Sequence, residues 1–473
     1  MEPLTLRYVA DACGGERFGG DDDLVIHRVR TDSREVAAQD LFVALEGERF
    51  DGHNFLQEAG ARGATGVLAR RDKVVVGTGH PACIAVDDTR KALGRLAARY
   101  RNDFDIPFIA IAGSNGKTTT KDMLASVLLQ RYRTLWSRDS FNNNIGVPRT
   151  LLELERSHEV AVLEIGTNHP GELAPLVRMV QPQYGVITSI GPEHLEFFGN
   201  IAGVAEEEGW LAELIPAGGT LFVNGAAPEI GRIIERCRAN VVTVGWGAAS
   251  DWKARFLSMD ERGVSFEVVG GARDCMGLYE LNLLGRHQVL NALLVIAVAH
   301  ELGLNQEEIR LGLAQCPPPK MRLQASNANG IWILDDTFNA NVDSMRAALQ
   351  TLHEFPCRGR RMAVLGEMAE LGAQSLKAHA EVGRQAAAVR LDHLFTVGAN
   401  AEGIGEAARS AGLAAVHHFS NAEEAAAAVR GFAREGDVVL LKASRAARLE
   451  RVGERLRQPG PTHPRIFRHA GET

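Results

Sequence analysis

The 473-residue chain is short of aromatic side chains (5 Trp, 5 Tyr, 18 Phe), has only six cysteines, and carries no excess of basic charge and no long apolar run. Each shortage excludes a class of protein. Cys13, Cys83, Cys237, Cys275, Cys316 and Cys357 are scattered, with no C-x-x-C pair and no histidine at zinc-ligand spacing. A disulfide-stapled or zinc-stapled module is thereby excluded, and the cysteines read as reduced thiols of a cytoplasmic protein. With 52 Lys and Arg against 59 Asp and Glu, the net charge is −7. No broad basic surface is available for nucleic acid. No segment approaches the ~20 apolar residues that cross a bilayer, and Met1-Glu2-Pro3-Leu4-Thr5 does not begin a basic-then-apolar leader. The expectation is a cytoplasmic protein, a monomer by default, with no nucleic-acid partner and no membrane insertion.

What is present is length, and the 49 glycines that punctuate it. At ~100 to 200 residues per domain the chain suggests about three domains. Residues 1–105 mix short apolar runs (Asp40 to Ala44, Thr65 to Ala69, Ala82 to Val86) with helical patterns, an α/β domain. From Ile106, apolar strands at Pro107 to Ala112, Val160 to Ile165 and Tyr184 to Ser189 alternate with helices, which predicts a parallel sheet covered on both faces. Between about 219 and 285 the pattern turns strand-rich and predicts an antiparallel extension. The run Cys316-Pro317-Pro318-Pro319-Lys320 suits neither helix nor strand, because three successive prolines lack backbone donors and fix φ. It places a boundary between a central domain, 106–316, and a Rossmann-like doubly wound domain, 317–473, with strands at Ile331 to Asp335, Arg361 to Gly366, His393 to Val397 and Val438 to Lys442. From Gln458 onward no stable element is expected.

Gly113-Ser114-Asn115-Gly116-Lys117-Thr118-Thr119 stands where a strand meets a helix. Glycines there let the backbone curl so that amides and the helix N-terminus point at phosphate oxygens. Lys117 adds a point charge for the β and γ phosphates, and the Thr118 hydroxyl can join a Mg²⁺ shell. An ATP or GTP site is the expectation, although Ile111 replaces the first glycine of the eight-residue form.

Extended to Thr120-Lys121, this loop resembles that of the Mur ligases, ATP-dependent amide-forming enzymes of peptidoglycan synthesis. The resemblance runs from Thr31 to Glu450. Thr31-Asp32-Ser33-Arg34, Asp40 to Gly47 and Asp51-Gly52-His53 resemble the UDP-sugar domain of two branches of that family. Asp335 to Asn341, Leu365 to Gly372 and Lys442-Ala443-Ser444-Arg445 resemble the D-Ala-D-Ala-adding branch, and no D-N-P-R stretch of the diaminopimelate-adding branch occurs. The implied reaction joins UDP-MurNAc-tripeptide and D-alanyl-D-alanine, with ATP and Mg²⁺, through an acyl phosphate. Such a reaction needs positioning and charge neutralisation rather than a protein nucleophile.

The resemblance also implies roles. Glu164 and His194 would hold a metal with Thr118; taken alone, one is a strand-end carboxylate and the other a loop histidine. Glu208 falls where the family usually has a carbamylated lysine. Its carboxyl carbon lies about 4 Å nearer the backbone, so either it replaces the carbamate, directly or through water, or Glu206 to Glu208 are a solvated acidic face near a helix start. Asn291 would lie near adenine, and Arg322 and Asp336 would reach phosphate and ribose from the third domain. Asn339 and Asn341 would orient dipeptide or nucleotide, unless they serve only as turn residues. Lys442 and Arg445 would take the dipeptide carboxylate, Ser33 and Arg34 the UDP-sugar diphosphate, and Asn143 and Asn144 would line the central site. Competing readings are a different amine acceptor, a folylpolyglutamate-type ligase, and a regulatory P-loop protein without ligase chemistry.

Overall fold

Continuous apolar runs become the buried centres of two sheets in the computed structural model, which describes residues 1–47, 49–74 and 81–458. The tail expected to lack structure beyond Gln458 lies, from residue 459, outside the described residues. Strand β1 (Phe108–Ala112) is buried along its whole length and pairs in parallel with β2 (Val160–Glu164) on one side and β3 (Tyr184–Ile187) on the other. The loop that follows β1, the end of β2 and the loop after β3 therefore open on one rim of a nine-stranded sheet. Ligands of open α/β sheets bind on that rim.

The expected antiparallel extension is present but starts later in the stretch from 219 to 285 than its strand-rich pattern suggests. Thr220–Asn224 and Asn240–Gly245 continue the sheet in parallel, and only the last two pairings, among Trp252–Met259, Val264–Gly270 and Gly277–Leu281, are antiparallel. Connection length decides this: the helix Ile230–Arg236 gives the first two strands a crossover, whereas Asp260 to Gly263 closes a tight hairpin. Trp252–Met259 was not anticipated because its Lys253 and Arg255 interrupt the apolar run; buried Trp252 and Ala254 alternate with them across a two-faced strand.

The first domain holds a five-stranded mixed sheet of residues 16–86. Its last helix, Thr89–Arg101, packs into a hydrophobic cluster continuous with the central domain. There the Tyr100 hydroxyl donates to the Leu154 carbonyl (2.7 Å), and buried Arg101 donates to the Val180 carbonyl (2.7 Å) with its guanidinium 3.8 Å above the Phe108 ring. The third domain is built on six strands in which β4 (Ile331–Asp336) pairs in parallel with β5 (Val438–Lys442), and it packs a core on either face of that sheet, one of them taking in Leu284 of the central domain. Two edge strands there, Gln324–Ala328 and Val416–Phe419, carry too little apolar sequence to have been anticipated. Among the described residues no helix is long and apolar enough to cross a membrane.

Candidate active site

Two glycines shape the loop between β1 and helix α1 (Lys117–Leu128). Both have positive φ, 113° at Gly113 and 89° at Gly116, and neither has room for a side chain: a Cβ would lie 2.6 Å from Thr188 Oγ1 or 2.8 Å from Asn291 Oδ1. The first three loop amides are already committed. Gly113 N–H donates to Glu208 Oε2 (2.8 Å), Ser114 N–H to the Ser189 carbonyl (2.9 Å) and Asn115 N–H to Ser189 Oγ (2.8 Å). The next residues, Gly116 to Thr119, line the cleft at the positive end of α1, where backbone amides can meet an anion.

Lys117 is folded back over this turn, its ammonium donating to the Gly113 carbonyl and lying 3.9 Å from Glu193 Oε2. Burial pulls its pKa down, but Glu193, Glu208 and Glu164 together outweigh burial and hold it above the ordinary lysine value. Glu193 is pushed up to about 8 by burial, only partly offset by Lys117. Glu164, at the end of β2, accepts from Asn142 Nδ2 (2.8 Å) through Oε1, while its buried Oε2 has no partner among the described residues. His194 follows β3 with φ of 49°; its Nδ1 meets Glu370 Oε2 and its Nε2 lies 3.8 Å from Glu193. A free carboxylate oxygen, a threonine hydroxyl and an imidazole nitrogen beside a phosphate loop are a donor set that fits a hard divalent cation.

The acidic run on helix α2 (Ile201–Leu214) divides three ways. Glu206 is exposed and pairs with Arg236 (3.4 Å). Buried Glu207 accepts from the amides of Gly171 (2.9 Å) and Leu173 (2.8 Å), holding the start of the helix Leu173–Val180. Glu208, buried and pushed up to about 7 mainly by burial, lies behind the phosphate loop rather than in the cleft lining. The solvated-face reading therefore holds only for Glu206, and the shorter glutamate reaches the Gly113 amide. Replacing Glu207 by alanine should lower unfolding free energy by about 2 to 3 kcal/mol in a denaturant titration, because two amides lose a charged acceptor in a buried place.

The third domain closes on the loop through Arg322. Met321 and Leu323 on either side have φ of 59° and 49°, and this local twist aims the guanidinium at Thr118 Oγ1 (3.0 Å) and across the Phe338 ring (4.1 Å). Asn341 caps helix α4 (Val342–Glu354), as the turn reading expects, but its Nδ2 also donates to Asn115 Oδ1 (2.9 Å). Asp336 accepts from Lys442 Nζ (2.6 Å), which also donates to the Asn339 carbonyl (3.0 Å). Asn291, on helix α3 (His287–Glu301), donates to Gln288 Oε1 (2.9 Å) with its amide against Gly116.

These groups line one cleft of about 1230 Å³ running between all three domains. It brings together Ser114 to Thr119, Asn143, Asn144, Glu164, His194, Asn291, Arg322, Asp336, Asn339, Asn341 and Lys442. It does not include Ser33, Arg34 or Arg445. Arg34 is held by its neighbour Asp32 (2.6 Å), Ser33 is buried beside Glu58, and Arg445 turns toward Glu450 (3.4 Å) in a separate recess. Sequence reasoning missed Glu193 and Asn142, each the neighbour of a residue it named, and Glu370, which lies within Leu365 to Gly372. It also missed His287 and the cations Arg90, Lys91 and Arg178 at the first-domain end.

A phosphate loop on a parallel sheet, with a second α/β domain fused to it and a third reaching the loop through an arginine, defines a nucleotide-using enzyme of three domains. The chain belongs to the Mur ligase family. Residues 25–101 match the family model described as Mur ligase family, catalytic domain, residues 111–299 the Mur ligase middle domain, and residues 321–445 the Mur ligase, glutamate ligase domain. It is 36% identical over 479 residues to the UDP-N-acetylmuramoyl-tripeptide–D-alanyl-D-alanine ligase of Escherichia coli, covering 97% of this chain and 100% of that one. The enzyme of the same name from Bacillus subtilis is 35% identical over 455 residues, covering 96% and 98%. A crystal structure of MurF from Acinetobacter baumannii superposes with a TM-score of 0.88 at 32% identity, covering 97% of this chain and 100% of that one. MurF ligase from Thermotoga maritima in complex with ADP gives 0.81 at 28% identity, covering 91% and 97%.

Proposed function

We propose that the cleft joins D-alanyl-D-alanine to UDP-MurNAc-tripeptide, converting ATP to ADP and phosphate and making UDP-MurNAc-pentapeptide for peptidoglycan. The observation that carries this reading is likeness over nearly the full chain to ligases of that name, with Lys117, Glu164 and His194 around a single cleft. A carboxylate is a poor acyl donor. Transfer of the γ-phosphoryl group to it makes an acyl phosphate, from which phosphate departs when the dipeptide amine attacks.

The division of labour follows from where the groups stand. The amides of Gly116 to Thr119 and the Lys117 ammonium hold the β and γ phosphates. Arg322 adds a second cation only when the third domain is docked. Asn291 packs where a base would enter beside Gly116, and Asp336, Asn339, Asn341 and Lys442 form the third-domain wall for the ribose and the incoming dipeptide. Arg90, Lys91 and Arg178 suit the diphosphate of the UDP substrate, with Asn143 and Asn144 between it and the loop. Bound Mg²⁺ would spread the charge developing on the transferred phosphoryl group, held by Thr118, Glu164 and His194. Glu208 fixes the loop from behind and offsets the Lys117 charge. All three domains of one chain contribute to the cleft, between Asp88 and Lys442, which accords with a monomer, and the need for ATP accords with the cytoplasm.

Phosphate release measured with each substrate omitted in turn tests the reading. Release is expected only when ATP, UDP-MurNAc-tripeptide and D-Ala-D-Ala are all present. Equal release with single amino acids in place of the dipeptide would point to a different acceptor, and release from ATP alone would sink the assignment.

A further inference from the structure

The contact between His194 and Glu370 joins two domains through two residues that both hold left-handed backbone, φ 49° and φ 58°. Non-glycine residues persist in that sparsely populated region only where their surroundings over-determine them, and here they are fixed. On the third-domain side, Met368 N–H donates to His379 Nε2 (3.1 Å), Ala369 N–H donates to Ser444 Oγ (2.8 Å), and Met368 and Leu371 are buried. On the central side, the amides of Phe197 (2.9 Å) and Phe198 (3.0 Å) donate to the His194 carbonyl. Glu196 N–H donates to the Glu370 carbonyl (3.0 Å), and the Gly372 backbone lies against Glu196. Two rigid turns thus dock by their backbones, and each spends its unusual conformation on aiming one side chain at the other.

Of the two ring nitrogens only Nδ1 is within hydrogen-bond reach of a carboxylate, that of Glu370, whereas Nε2 stands 3.8 Å from Glu193; a hydrogen on Nδ1 leaves Nε2 with a lone pair on the Glu193 side. We propose that Glu370 is a positioning residue: by accepting the Nδ1–H of His194 across the domain interface, it fixes the tautomer and ring orientation that the divalent cation needs. The cation site is then completed only by docking of the third domain. Residues supporting a metal-bound histidine in this way typically change metal affinity by about 10- to 100-fold when removed. The inference rests on the ligase reading for its purpose, but its readouts do not depend on ligase turnover.

The test uses the full chain labelled with ¹⁵N-histidine, as wild type and as Glu370→Ala, Glu370→Gln and Glu370→Asp. Long-range ¹H–¹⁵N spectra report the His194 tautomer, and Mn²⁺ titrations followed by electron paramagnetic resonance, with a non-hydrolysable ATP analogue, report cation affinity. Wild type is expected to show one tautomer, protonated at Nδ1. Glu370→Ala should populate the other tautomer and weaken Mn²⁺ about 10- to 100-fold. Glu370→Gln, which keeps the shape should alanine unfold the turn, should fall between them, and Glu370→Asp should recover part of the loss. The Glu196 to Glu370 backbone bond survives every substitution, so docking alone does not account for the shift. An unchanged tautomer overturns the proposal, as does a changed tautomer with Mn²⁺ affinity within about twofold of wild type. If both shifts appear in a chain whose phosphate release ignores D-Ala-D-Ala, the functional reading fails and this one stands.

Discussion

Lys117→Met is expected to lower substrate-dependent phosphate release by about 10³-fold, read as kcat in a coupled phosphate assay with all three substrates saturating. Preorganised charges aimed at a developing anion are worth about 10² to 10³ each when removed. Lys117 is the cation folded directly over the loop, and its charge also balances Glu193, Glu208 and Glu164. Methionine keeps most of the stem volume and removes the charge, so the loop should still form from its committed amides at Gly113, Ser114 and Asn115. Activity within tenfold of wild type would mean that the γ-phosphoryl charge is met elsewhere, and Arg322 would become the principal cation.

Lys442→Met should have the largest effect on stability, lowering the unfolding free energy by about 3 to 5 kcal/mol in denaturant titrations. Lys442 is 2% exposed and its Asp336 partner lies at 2.6 Å, so removing the ammonium strands a carboxylate in a wall of the cleft. The same change has a signed pH signature through His287. Burial chiefly pushes that imidazole down to about 4 from 6.5, with Asp336 raising it and Lys442 lowering it. Between pH 6.5 and about 4 the unfolded chain binds this proton and the folded chain does not, so folded stability falls as pH falls through that window. Without Lys442 the unopposed Asp336 raises the His287 pKa and narrows the window. The Lys442→Met protein should therefore lose less stability than wild type between pH 7 and pH 4.

How much of this was legible in the sequence depended on whether neighbours in space were also neighbours in pattern. The phosphate loop could be read because strand, glycines, lysine and helix are contiguous, and Glu164 because it ends an unbroken apolar strand. Glu208 could be singled out but not aimed: an acidic run on a helix does not reveal which carboxylate turns inward, and only the packed structure separates Glu206, Glu207 and Glu208. Glu370 stood in a recognised motif, yet its partner His194 lies in another domain and meets it only through docking. Arg34 and Arg445 look like anion-binding residues by type, but local acids, Asp32 and Glu450, hold each of them away from the cleft. The parallel pairing of Thr220–Asn224 and Asn240–Gly245 was hidden because β-rich sequence alone does not disclose strand direction; the intervening helix does.

The helix Thr89–Arg101 belongs to the first domain by position along the chain and to the central domain by packing. Gene fusion and recombination commonly treat domains as interchangeable cassettes, and a cut near residue 105 looks like a natural seam. Here that seam runs through a shared interior. A chimera joined there would inherit Tyr100 without its Leu154 carbonyl, or a Phe108 ring without the Arg101 above it. The first two domains are therefore heritable as one block, whereas the third, beyond the prolines, meets them at a narrower seam, where Leu284 of the central domain is buried in its core and Leu195 and Met259 pack against it.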